Sequence, residues 1–333
     1  MDGEILNGIM GLCIGDALGV PVEFKRREYL TSNPVTDMFG FGSHNQPIGT
    51  WSDDTSMTLC LLHSLSKGLN YTDIASKFQS WLHNGDYTPH GEVFDIGMTT
   101  ISAIERFSNG IEPIKCGGSK EHDNGNGSLM RILPLAFYIY TTYGGDFYNT
   151  SPEVTNEVFE VIHNVSSITH EHKRSHIACG IYITIAIEML YCNDSSTAVG
   201  ASNCIYAGLQ KAKMYYESKT DYKTELMHYE RLYLDNFKNL HVDSIKSSGY
   251  VVDTLEAALW CVLNTNNYRD CVLKAVNLGS DTDTVAAIAG GLAGIYYGLN
   301  SIPQEWVSQI VRLGYIKDLC RILDISLGFT PSA

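Results

Sequence analysis

The sequence predicts an all-α fold, a single compact multi-helix orthogonal bundle over residues 1–333. Three observations carry that prediction. Apolar residues recur at helical spacing through most of the chain. No alternation of strand and helix patterns appears, which argues against a doubly wound α/β fold. The first apolar stretch places Gly8, Gly11, Gly15 and Gly19 three or four residues apart, on one helix face. Such a face costs helix propensity, so it points to a place where a second backbone approaches closely.

Along the chain, Ile5, Ile9, Leu12, Ala17 and Val20 alternate with those glycines, and Pro21 ends the helix so that Glu23 falls on the following turn. Helical spacing then predicts helices over 57–66, 71–82, 98–107, 129–140, 154–165, 177–191 and 197–215. It continues over 222–240, 254–262, 268–277, 284–299 and 307–323. Residues 35–39 carry the one weak extended signal. Tyr215, Tyr222, Tyr229 and Tyr233 recur as a helical stripe, read as core packing rather than ligand stacking. There is no composition shift, linker or repeat at a solenoid period to divide the chain.

A chain of 333 residues can bury a large core without disulfide or metal staples. Its 44% apolar and 18% charged residues and mean hydropathy of −0.07 are those of a globular protein. The balance of 37 acids against 23 bases, a net −14, argues against nucleic acid as a partner, since that requires clustered Lys and Arg. Residues 1–20 lack the basic start of a secretory leader, and the nine cysteines are scattered, with no CxxC pair. These features predict reduced thiols and a cytoplasmic location. The uncharged run 284–299 is too short for a membrane span and rich in Gly and Ala, so no membrane association is expected.

The polar loops 40–52, 83–97, 117–128 and 246–253 each read as leading into a helix, and could together line one cleft. Two of the helix starts are rich in acids: Ser52-Asp53-Asp54-Thr55 and Asp281-Thr282-Asp283-Thr284. Helix capping explains one side chain in each cluster. It does not explain two carboxylates and two hydroxyls ahead of helices that are nearly free of charge. Carboxylates so close and so deep must be protonated or neutralised, and a divalent cation does this. Oxygen donors with no local His or Cys favour Mg²⁺, Mn²⁺ or Ca²⁺ over Zn²⁺. Glu23 is a third contributor.

Gly15-Asp16-x-x-Gly19-x-Pro21-x-Glu23, Trp51-Ser52-Asp53-Asp54-Thr55, Asn126-Gly127-Ser128-Leu129-Met130-Arg131 and Gly279-Ser280-Asp281-Thr282-Asp283-Thr284 occur in that order. Together they resemble the ADP-ribosylglycohydrolases, in particular the type that activates dinitrogenase reductase. The resemblance runs from about residue 3 to residue 310. It implies an all-α domain with a central cleft holding two Mg²⁺ (or Mn²⁺) ions, bound by Ser52, Asp53, Asp54, Asp281, Asp283 and Thr284. It also implies hydrolysis of the N-glycosidic bond between ADP-ribose and a protein side chain, most often arginine, with an ADP-ribosyltransferase as counterpart. Other readings are a hydrolase of another ADP-ribosyl linkage or metabolite, and a non-catalytic immunity-type binder of such a transferase. The intact acidic clusters weigh against a purely structural role.

Breaking a bond from ribose C1′ to nitrogen passes through an oxocarbenium-like transition state and needs a carboxylate to take a proton from water. Glu23, Asp54 and Asp95 are the candidates, unranked by sequence. Asp95 lies in a Phe94-Asp95-Ile96-Gly97-Met98 segment similar to a family motif in which Asn is common where Met98 stands; helix capping is its alternative role. Asn126, Gly127 and Ser128 are candidates to bind the diphosphate through N–H groups at the head of the 129–140 helix, with Gly117-Gly118-Ser119 a weaker second. The resemblance places His170 and Tyr250 near the adenosine. A zinc site at His172 and His176 lacks a third ligand. Lys25-Arg26-Arg27 reads as solvated surface.

Overall fold

The computed structural model describes residues 3–194 and 199–329. It is 69% helical, and among the described residues it has no strand. The helices are α1 (Glu4–Gly19), α2 (Arg27–Ser32), α3 (Asp53–Leu65), α4 (Tyr71–Asn84), α5 (Met98–Ser108), α6 (Pro134–Tyr143), α7 (Pro152–Ser167) and α8 (Lys173–Asp194). They continue with α9 (Ala201–Glu217), α10 (Lys223–Leu226), α11 (Val251–Leu263), α12 (Tyr268–Val276), α13 (Thr282–Tyr297), α14 (Gln304–Gln309) and α15 (Leu313–Leu327). One contiguous set of buried apolar side chains runs from Ile5 to Leu323.

The centre is the pairing of α1 with α13, and the glycine face explains it. A Cβ on Gly11 would lie 2.3 Å from the Gly290 carbonyl oxygen, one on Gly15 2.1 Å from that of Ala286, and one on Gly19 2.3 Å from Asp283 Cα. The two backbones touch along the whole seam. That contact fixes the C-terminal end of α1, and Glu23 beyond it, against the start of α13. The stretches Glu4–Val22 and Lys173–Asn193 are long and apolar enough to cross a membrane, but 100% and 89% of their most apolar windows are buried inside the molecule. They are core helices.

Four sequence expectations fail, each for a local reason. The 129–140 helix starts only at Pro134; residues 127–131 wind as turns. Proline suits a first helical turn, where its missing N–H is no loss. The 222–240 helix is instead α10 followed by 3₁₀ turns at Met227–Tyr233 and Phe237–Asn239. Its tyrosines are core residues, as expected, but they pack on different partners: Tyr215, in α9, stacks on Phe159 with ring centres 3.7 Å apart, and Tyr229 donates to the Arg174 carbonyl. The 307–323 helix is broken by Arg312, in the left-handed region with φ 53°. Its guanidinium donates to the Thr88 carbonyl at 2.6 Å and lies over the Tyr315 ring. Residues 35–39 are irregular, not extended. The start of the 197–215 helix lies partly outside the described residues; its described part begins at Ala201.

Candidate active site

Asp16, on α1, is fully buried and organises the start of α3. Its carboxylate accepts from Ser52 N at 2.9 Å, Thr55 N at 3.1 Å and Thr55 Oγ1 at 2.6 Å. Ser52 caps α3, its Oγ accepting from Asp54 N. Capping therefore uses Ser52 and leaves Asp53 and Asp54 unexplained. At α13 the N-cap residue Asp281 makes no capping bond with its side chain. Its Oδ2 instead accepts from Asn126 Nδ2 at 2.7 Å.

Oxygens of Asp16, Asp54 and Asp283 lie within 4.8 Å of one another, and so do those of Glu23, Asp281 and Asp283. Asp283 belongs to both triads. Asp54 Oδ1 and Asp283 Oδ2 are buried and accept no hydrogen bond. Thr284 sits beside them, its N–H donating to Asp283 Oδ1. Exposure rises outward: Asp54 and Asp283 are sealed, Asp53 and Glu23 nearly so, and Asp281 and Asp95 are partly open to solvent. Burial drives the carboxyls of Asp16, Glu23, Asp53, Asp54, Asp281 and Asp283 upward, and in all of them but Asp16 neighbouring acids add to it. Asp16 is pushed up to about 6 and Glu23 to about 10, while Asp53, Asp54 and Asp283 stand well above the usual carboxylate range.

The polar loops do converge. Glu23 is held by the 40–52 loop: Ser43 Oγ donates to its carbonyl at 2.6 Å and His44 Nε2 bonds its carboxylate. His44 Nε2 is also 3.9 Å from Asp95 Oδ1, in the 83–97 loop. Asp95 is no helix cap, since Gly97 holds that position; its backbone is left-handed, φ 58°. Met98 is 73% exposed. Asn126 N donates to the Gly249 carbonyl and Asp281 N to that of Ser247, which ties the last two loops to the acids.

Among the binding candidates, Asn126 reaches the acids directly, and Gly127 packs under His170. Ser128 does not reach them with its side chain: its buried hydroxyl bonds Ser166 and Cys179. The expected helix N-terminus behind this loop is absent, so its N–H groups are those of turns. His170 is buried, and burial together with the Arg131 charge holds its imidazole down to about 3. Arg131 Nη2 donates to Thr169 Oγ1 at 2.8 Å, and Thr169 Oγ1 is 2.9 Å from His170 Nδ1. His170 Nδ1 thus meets a hydroxyl already held by Arg131, and its Nε2 faces Gly125 and Gly127. Tyr250 is fixed by Arg174, whose Nη1 donates to its hydroxyl at 2.9 Å. His172 and His176 diverge: His176 bonds Ser167 and Tyr222, and His172 lies near Glu121.

Asp16, His44, Arg131 and Arg174 were missed by sequence reasoning as contributors. Asp16 and Arg131 sat inside motifs already noted; His44 carried no spacing signal. Its arrival also qualifies the donor argument, because a nitrogen now stands at the edge of the cluster, while the two triads that share Asp283 remain all-oxygen. Arg27 is not solvated surface: it donates to the carbonyls of Leu278, Val242 and Ile245 and so braces both strands of chain that lead to Asp281.

Comparison with known proteins gives the family. The family model for ADP-ribosylglycohydrolase matches residues 3–328. The chain belongs to the ADP-ribosylglycohydrolase family. It is 32% identical to the ADP-ribosylarginine hydrolase Tri1 of Pseudomonas putida over 318 residues, covering 95% of this chain and 76% of the relative. It is 29% identical to the ADP-ribosyl-[dinitrogen reductase] glycohydrolase of Rhodospirillum rubrum, covering 92% and 89%. A solved structure titled ADP-ribosylglycohydrolase-related protein complex superposes with a TM-score of 0.73 at 27% identity, covering 98% of both chains. Family and relatives are those of an ADP-ribosyl hydrolase, and the all-α architecture is the family's.

Proposed function

We propose that this protein is a divalent-cation-dependent hydrolase that removes mono-ADP-ribose from arginine side chains of proteins. The observation that carries the reading is the pair of buried carboxylate oxygens, Asp54 Oδ1 and Asp283 Oδ2, without a protein donor between two triads that share Asp283. Buried carboxylates left so need a counter-charge. Oxygen donors of this kind suit Mg²⁺ or Mn²⁺. Ser52, Asp53, Asp54, Asp281, Asp283 and Thr284 would hold two ions, with Glu23 at their edge. Bound there, the ions supply Lewis acidity and orient the ribose hydroxyls and a water.

The protein's own groups do the rest. Asp54 is sealed from solvent and is assigned to holding cations. Of the two remaining carboxyls, Asp95 is partly open to solvent and takes the proton from the attacking water, while Glu23, nearly sealed and bonded to His44, stands beside it. As water oxygen bonds to C1′, the C1′–N bond breaks, its electron pair leaves on the guanidine, and the proton taken by Asp95 passes to that nitrogen. The products are ADP-ribose and arginine. The Gly127–Ser128 backbone and the Nε2 edge of His170 line the diphosphate side, Asn126 holds Asp281, and the Arg174-braced Tyr250 offers a ring to adenosine. An ADP-ribosyltransferase must make the substrate. The nine cysteines, none of them in a disulfide, fit a cytoplasmic setting.

Incubation with an arginine-ADP-ribosylated protein in Mg²⁺ is expected to release ADP-ribose, and excess EDTA to stop it. Release that continues in EDTA contradicts the cation role; no release from arginine but release from another linkage contradicts the acceptor.

A further inference from the structure

We propose that Phe24, His44 and Phe94, with Asp95, form the subsite that receives the guanidinium of the acceptor arginine; this rests on the hydrolase reading above. The His44 ring lies between two phenylalanines, 5.8 Å from Phe24 and 5.2 Å from Phe94 by ring centre. The same imidazole bonds Glu23 and approaches Asp95. The group thus attaches to the acid cluster through Glu23 and Asp95, whereas Asn126 attaches through Asp281.

Two features show that this corner is built for something other than packing. Phe24 is 69% exposed and Phe41, on the same 40–52 loop as His44, 60% exposed, so neither ring contributes its full burial to stability. Phe24, Phe41 and Asp95 all have left-handed backbones, with φ of 64°, 68° and 58°. That conformation disfavours a non-glycine residue by ~1–2 kcal/mol. The surroundings enforce it: Phe24 N donates to the Ser280 carbonyl at 2.7 Å, and a Cβ on Gly42 would lie 2.0 Å from the Pro21 carbonyl oxygen, so the loop sits directly on the turn that carries Glu23. Strain of this kind gathers at binding and catalytic positions.

The chemistry selects the occupant. Aromatic faces beside a carboxylate suit a planar, delocalised and weakly hydrated cation, which stacks and donates hydrogen bonds at once. A guanidinium has all of these properties, whereas a hydroxyl acceptor is neither charged nor planar. The position is also right, since the leaving nitrogen must lie next to the groups that take and return protons.

The test uses Phe24→Ala and Phe94→Ala with ADP-ribosyl-agmatine, which carries the guanidinium without a protein surface, and calorimetry with free ADP-ribose. Phe24 is exposed, so its removal leaves the fold intact; thermal melts check Phe94→Ala. KM for ADP-ribosyl-agmatine is expected to rise ~fivefold or more in each variant, with ADP-ribose affinity within about twofold of wild type. Phe24→Tyr, which keeps the ring, is expected to restore KM. Unchanged KM in both alanine variants, or ADP-ribose affinity that falls in step with KM, overturns the subsite. A wild-type protein inactive on every arginine-linked substrate overturns instead the hydrolase reading.

Discussion

Asp283 joins the two carboxylate triads and keeps one buried oxygen free of protein donors. Asp283→Ala is therefore expected to weaken Mg²⁺ or Mn²⁺ binding by more than the ~10–100-fold that loss of an outer-shell partner costs. Activity falls with it while the circular dichroism spectrum is unchanged, since water can fill the vacated corner; full metal affinity in the variant would remove Asp283 from the site. At His170 the Thr169 hydroxyl stands between the Arg131 guanidinium and Nδ1. Thr169→Val removes the hydroxyl partner of Nδ1, and ¹⁵N NMR of the histidines should show the His170 tautomer balance change. An unchanged balance contradicts a role for Thr169 in fixing the ring. The acids at 53, 54, 281 and 283 were legible because they stand in close pairs before apolar helices. His44 was not, because what brings it to Glu23 is the fold of a loop whose strained residues leave no mark in residue spacing.

That a second backbone packs on the glycine face of α1 was legible from glycine spacing, its identity as α13 was not, and the tightness of the seam can be tested. Gly15→Ala gains up to ~1 kcal/mol of helix propensity, but its Cβ would meet the Ala286 carbonyl oxygen at 2.1 Å. Both atoms belong to backbone that cannot turn aside, so the clash wins, at ~3 kcal/mol or more. A lowered melting temperature and weakened cation binding are expected together, because the seam positions Asp16 and Asp283. A stability equal to wild type would show that the helices can separate at no cost. Helix breaks were less legible. Periodicity is a local signal, and what interrupts it at Arg312 is a hydrogen bond to Thr88, 224 residues away in sequence. The 222–240 segment kept a helix-like tyrosine spacing although its tyrosines serve different neighbours.

The net charge of −14 has one functional address, the acid cluster, and that gives the whole molecule a pH dependence. Carboxyls whose folded values are raised hold protons that the unfolded chain releases. Their stability contribution is complete below the ordinary carboxylate range of ~4 and is lost as pH rises through the folded values, about 6 for Asp16 and about 10 for Glu23. The metal-free protein is therefore expected to melt lower at pH 8 than at pH 5, and added Mg²⁺ to raise the melting temperature more at pH 8. A Mg²⁺ effect independent of pH would separate the cluster from stability.

The central claim is that the shared carboxylate of Asp283 sits between two cations. Anomalous diffraction from crystals grown with Mn²⁺ tests it most directly. Two peaks are predicted among Ser52, Asp53, Asp54, Asp281, Asp283 and Thr284, both in contact with Asp283. A single peak, or peaks that leave Asp283 without a metal contact, would contradict it.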